Sequence, residues 1–284
     1  MEVTFLQSTA KPANTKSILA LLLLAAYVVL AAYFAGIIST SIAYSLTFLG
    51  VIIPIREPIN LGLVFVFYWL ILKYKPDLVQ SKMPIGGGWG VMFGIATTLV
   101  LLAIVWLFLF LLGILRIIDL RVMDTQATIG IFTGLLFVFL HGLSEQWLIQ
   151  KLGQQIFTSH FGKWVGVICA GIMFAALQAL QGYSEPIYVV NSLVFGVFMA
   201  ILALRFGVIA AASAHCIWTW TEVVLLPALF DFEFRQGTAT VHGLDSYGSP
   251  IFTIVVVILC LILGFVSNMF YNPNDDKIKH KPNS

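Results

Sequence analysis

Eight apolar runs separated by short polar breaks organise the chain: Ser17–Ile38, Asn60–Tyr74, Trp89–Leu115, Thr128–Leu152, Lys163–Gln181, Ile187–Leu204, Val208–Leu226 and Pro250–Phe270. A helix needs about 20 mostly apolar residues to cross a bilayer, and most of these runs are long enough. They predict eight transmembrane helices. Asn60–Tyr74 is short, and the apolar stretch before it, Leu46–Ile55, is followed or broken by Pro54, Arg56 and Pro58. That pattern reads as a re-entrant or kinked entry to the second helix. The first run follows Lys11 and Lys16 and has 22 residues, about 33 Å of helix. Signal-peptide cores run to roughly 7–15 residues, so the run reads as a retained anchor, with cleavage near Ala35 as the alternative.

Composition agrees with lipid as the solvent. Apolar residues make up 60% of the 284 and charged residues 10%, against roughly 45–50% and about 25% in soluble domains. The expected fold is an all-α polytopic transmembrane helical bundle of about eight spans, in a bacterial cytoplasmic membrane. It divides into a three-span N-terminal region (1–127), a four-span core (128–226), and an outer loop, last span and tail (227–284). No internal repeat or soluble domain is visible.

Lysine and arginine placement sets the expected orientation. With the N-terminus in the cytoplasm and alternating spans, Lys11, Lys16, Lys73, Lys75, Lys82, Lys151, Lys163, Arg205, Lys277, Lys279 and Lys281 fall inside. Arg56, Arg116, Arg121 and Arg235 fall outside, a division of 11 against 4 that places both termini in the cytoplasm. The outer loop 230–249 carries Asp231, Glu233 and Asp245.

The remaining composition narrows the chemistry. Cys169, Cys216 and Cys260 all lie inside apolar runs, so no disulfide is expected. There is no Cys-x-x-Cys or His-Glu-x-x-His pattern, so neither metal nor other cofactor is expected. A net charge of +2 with no basic stripe argues against nucleic acid. The expected partners are membrane lipid and a membrane peptide or protein substrate.

Ionisable groups inside a span are costly and point to function. His141 and Glu145 are four apart in the fourth run, on one helical face; Gln178 lies in the fifth; His215, Thr219 and Glu222 lie in the seventh. The alanine-rich stretch before His215 lets that helix approach a neighbour closely. Measured from Lys151, Lys163 and Arg205 as boundary charges, Glu145, Gln178 and His215 sit roughly 9–22 Å deep, compatible with one polar pocket. Glu222 reads as an interfacial residue, and Gln154, Gln155 and His160 as solvated loop residues.

At these positions the chain resembles the CAAX protease and bacteriocin-processing (Abi) family. Ser144-Glu145-Gln146-Trp147-Leu148-Ile149-Gln150 is similar to its Glu-Glu-x-x-x-Arg motif, Phe174–Gln178 to its Phe-x-x-x-His, and His215–Thr219 to its His-x-x-x-Asn. The stretch 195–207, with Gly196, Arg205 and Gly207, is similar to the family's Gly-rich helix and basic turn. The resemblance implies a glutamate-type intramembrane endopeptidase, with Glu145 as the water-activating base and His215 as an oxyanion partner. Gln146, Gln150, Gln178 and Thr219 stand where the family has Glu, Arg, His and Asn. Gln178 can hydrogen-bond a water or oxyanion but cannot shuttle a proton, and a lost oxyanion donor costs about 10²–10³ in rate. His141, a turn before Glu145, is placed to replace the missing histidine, or else simply to pair with Glu145 in lipid.

Two functions therefore compete. One is a membrane endopeptidase using Glu145, His215 and His141, with Gln178, Thr219, Gln146 and Gln150 as substrate or oxyanion groups. The other is a non-catalytic relative that binds a membrane peptide, lipid or partner protein through the same cavity. A small transporter would show inverted repeats and paired broken helices, and neither is seen.

Overall fold

Lipid offers no hydrogen bonds to the backbone, so each apolar run must satisfy its own peptide groups as helix. In the computed structural model, which describes residues 15–48, 56–74, 83–234 and 248–269, they do so. The helices are α1 (Thr15–Phe48), α2 (Arg56–Tyr74), α3 (Gly88–Leu111), α4 (Thr125–Phe161), α5 (Lys163–Leu180), α6 (Pro186–Phe206), α7 (Val208–Leu229) and α8 (Pro250–Met269). Among the described residues, α1 to α7 each contain an apolar stretch long enough to cross a membrane, and α8 is a further apolar helix. The protein is an integral, multi-pass, all-α membrane protein. Lys11, Lys75, Lys82, Arg235, Lys277, Lys279, Lys281 and Pro54, on which the orientation and the kinked entry partly rest, lie outside the described residues.

Boundaries differ from the sequence reading where local chemistry overrides hydropathy. The third helix was expected to reach Leu115 but stops at Leu111. Gly113 adopts φ +66°, and its N–H donates to Phe110 O while Ile114 N–H donates to Leu109 O, the pairing of a Schellman stop. The chain then forms strand β1 (Leu115–Leu120), which pairs antiparallel with β2 (Phe230–Phe234), with an irregularity between Ile117 and Asp119. Arg121 Nε lies 2.6 Å from Asp231 Oδ1 beside this two-stranded sheet. Asp124 caps α4, its carboxylate accepting from Ala127 N–H at 2.6 Å, so that helix starts at Thr125 rather than Thr128.

α4 also runs on to Phe161 instead of ending near Leu152. Over Trp147–Gln154 it widens into π-helical turns, as α7 does over Thr221–Leu225. Lys151, used above as a boundary charge, is buried within α4 and donates from Nζ to Met83 O.

Small residues bring the central helices into backbone contact. A Cβ on Gly94 of α3 would sit 2.2 Å from Ala210 O of α7, and one on Gly196 of α6 would sit 2.9 Å from Gly171 Cα of α5. α6 and α7 are the most enclosed helices, and α4 packs against α7 on one side and α2 on the other.

Candidate functional site

Glu145 organises the site. It follows His141 by one helical turn on α4, and the residue is 3% exposed, so its carboxylate depends on protein partners. His141 Nε2 lies 3.3 Å from Oε1, and Gln181 Nε2 donates to the same oxygen at 2.8 Å. Oε2 faces His215 Nδ1 at 3.8 Å and Gln178 Nε2 at 3.5 Å. Both carboxylate oxygens are therefore engaged by groups from α4 and from α5 and the turn after it, with the His215 ring of α7 beside Oε2.

His215 is held from several sides. Gly142 of α4 has no side chain, and a Cβ there would lie 3.5 Å from the imidazole, so α4 passes directly over the ring. Phe174 and Phe195 meet it edge to face at 5.5 and 6.1 Å between centroids. Gln146 Nε2 lies 3.1 Å from Nδ1. As placed, the amide donates to Nδ1, which leaves the ring proton on Nε2.

Glu145 and His141 line a cavity of about 650 Å³, together with Ser144, Asn60, Arg56, Gln181, Tyr183 and residues of α1 such as Tyr33 and Thr40. The cavity lies between the second half of α1, the end of α5 and the start of α2. His141 Nδ1 is 3.2 Å from Glu57 Oε2, and Asn60 Nδ2 donates to Ser144 Oγ at 2.9 Å.

A family model described as type II CAAX prenyl endopeptidase Rce1-like matches residues 127–221. Over that stretch the chain is similar to Rce1-like proteins. No curated protein matches the chain. The matched segment runs from near the start of α4 into the π-helical turn of α7, and it contains His141, Glu145, Gln178, Gln181 and His215.

The matched segment brings together four of the residues singled out in the sequence. His141, Glu145, Gln178 and His215 share one cluster, with carboxylate and imidazole closer than the one-water separation of roughly 6 Å that a common site requires. Gln146 contacts His215 as described. Gln150 is fully buried but turns away, its Nε2 reaching Gly196 O of α6 at 3.5 Å. Of the cluster, His141 and Glu145 line the cavity, whereas Gln178 and His215 lie behind Glu145, and neither they nor Thr219 are among the lining residues.

Three residues expected at boundaries are interior. Gln154 is fully buried and donates to Ala200 O at 2.9 Å, and Gln155 is also buried. Because α4 continues past Leu152, both become helix-face residues rather than loop. Glu222 is buried and accepts from Trp106 Nε1 at 2.6 Å. Sequence reasoning missed Gln181, Glu57 and Asn60. Gln181 carried a usable signal, lying three residues beyond Gln178 and so on nearly the same helix face.

Proposed function

We propose that the protein is a glutamate-type intramembrane endopeptidase acting on a membrane-associated peptide. The observation that carries this reading is a buried carboxylate, Glu145, flanked by two imidazoles and open to a cavity large enough for a peptide segment. The Rce1-like match over residues 127–221 supports the same reaction class.

In this reading Glu145 is the general base. It takes a proton from water as the water oxygen bonds to the scissile carbonyl carbon, and later gives that proton to the leaving amine as the C–N bond breaks. His141 takes the role of the histidine that Gln178 replaces. His215 and the Gln178 amide supply hydrogen bonds to the oxyanion, the term that usually contributes most to acyl transfer. Gln181 holds Glu145 in place by donating to Oε1.

Gln178 and Thr219 favour a second reading. An amide at 178 cannot relay a proton, and Gln178, His215 and Thr219 all lie outside the cavity lining. A non-catalytic relative would keep the cavity and bind a membrane peptide, lipid or protein in it. Comparing membrane-peptide termini in cells carrying wild type or Glu145→Gln separates the two. The peptidase reading expects new termini that appear only with wild type. Identical termini, with a phenotype caused instead by bulky substitutions in the cavity, would favour the binder.

A further inference from the structure

Glu57 lies outside the Rce1-like segment, in the first turn of α2, where the sequence showed only a proline-flanked polar break. Its carboxylate is largely buried, and the two oxygens have separate partners. Oε1 faces the half-exposed guanidinium of Arg56 at 3.6 Å, and Oε2 faces His141 Nδ1 at 3.2 Å. The opposite ring nitrogen of His141 faces Glu145 Oε1 at 3.3 Å. One imidazole thus stands between two carboxylates drawn from different helices.

Helix register holds this contact in place. Three residues beyond Glu57, Asn60 donates to Ser144, which is three residues beyond His141. Ser144 Oγ in turn donates to His141 O at 2.7 Å. Two rungs with the same spacing on both helices mean that α2 and α4 run parallel in fixed register, so the Glu57 contact does not depend on one side-chain rotamer.

We propose that Glu57 is a positioning residue: it accepts the Nδ1–H of His141 and thereby holds the ring so that Nε2–H faces Glu145. A carboxylate on the far nitrogen of an imidazole fixes both tautomer and ring orientation. With a carboxylate 3.2 Å from one nitrogen and 3.3 Å from the other, the ring donates from both; without Glu57 only Nε2 keeps an acceptor, and the proton on Nδ1 is the one lost. The other groups facing His141 are Arg56 of α2, Ser144 and Glu145 of α4, and His215 of α7, whose ring centroid is 6.4 Å away. None of these offers a second acceptor to Nδ1 among the recorded contacts. The assignment extends the endopeptidase reading, but it concerns a proton position and is measurable without turnover.

The test is ¹⁵N NMR of histidine-labelled full-length protein in detergent, with the His141 signals assigned among the five histidines by His141→Asn. Wild type should carry a proton on His141 Nδ1. Glu57→Leu should lower the Nδ1–H population about fivefold or more, the equivalent of one net hydrogen bond, and Glu57→Asp should recover much of it. Signals of His160 should not move. If Glu57→Leu does not accumulate as folded protein, Glu57→Gln, which keeps the shape and removes the charge, should lower the same population by a smaller factor. A wild-type His141 protonated on Nε2 alone would overturn the proposal. So would Nδ1–H signals that the Glu57 variants leave unchanged. Neither outcome bears on whether Glu145 activates water, because Glu145 is intact throughout.

Discussion

His141 and Gln178 approach the same carboxylate from different helices, at 3.3 and 3.5 Å. If His141 has taken over the missing histidine's role, His141→Ala should remove most peptidase activity, and adding Gln178→His to that variant should restore part of it. A double variant as inactive as His141→Ala alone would show that the two positions are not interchangeable. His215→Ala should lower kcat by about 10²–10³ if the ring serves the oxyanion, measured against a folded control of matching melting temperature. Glu145, His141 and His215 were legible in the sequence because ionisable residues are rare in apolar runs, and because the motif order matched a known pattern. Glu57 was not legible: it contacts His141 across 84 positions, and beside Arg56 and Pro58 it looks like loop. The positions where a Glu and an Arg were expected, Gln146 and Gln150, both carry amides. The change removes one charge of each sign together, and each amide finds a separate neutral partner, His215 or Gly196 O.

The helices depend on glycine where backbones touch. Gly94→Leu should force α3 away from α7, because even a Cβ would meet Ala210 O at 2.2 Å. Gly196→Ala should strain the α5–α6 contact, which sets the position of Phe195 against His215. Overpacking of this kind costs about 1–3 kcal/mol, and thermal unfolding in detergent should show it in both variants. Gly88→Ala, with open space around the added methyl, is the control and should leave stability nearly unchanged. Helix existence was readable from hydropathy, since eight apolar runs became eight helices. Helix ends were not. The stop at Gly113 and the cap at Asp124 act through backbone geometry, and β1 was hidden because Leu115-Arg116-Ile117-Ile118 reads as the end of an apolar run. The π-helical section after Gln146 leaves no mark in hydropathy, although such sections are common beside functional sites.

Across the whole molecule, the basic-residue bias predicts that the 75–82 loop and the C-terminal tail face the cytoplasm and the 230–249 loop faces out. With alternating spans, the ends of α1 and α5 and the start of α2 then share the outer side with the two-stranded sheet, so the cavity is reached from outside. In a cysteine-free background, Tyr183→Cys should react with a membrane-impermeant maleimide added to intact cells, and a cysteine in the 75–82 loop only after lysis. The reverse pattern would invert the orientation and the side from which substrate enters. The central claim is that Glu145 delivers a water oxygen to a peptide carbonyl. It is tested most directly by incubating the reconstituted protein with a membrane-anchored peptide, drawn from the termini comparison, in ¹⁸O-enriched water, and weighing the products. Wild type should yield a new C-terminus containing one solvent oxygen per cleavage, and Glu145→Gln, equally folded, should yield no product. Cleavage by Glu145→Gln at the wild-type rate, or intact peptide after incubation with wild type, would contradict the account.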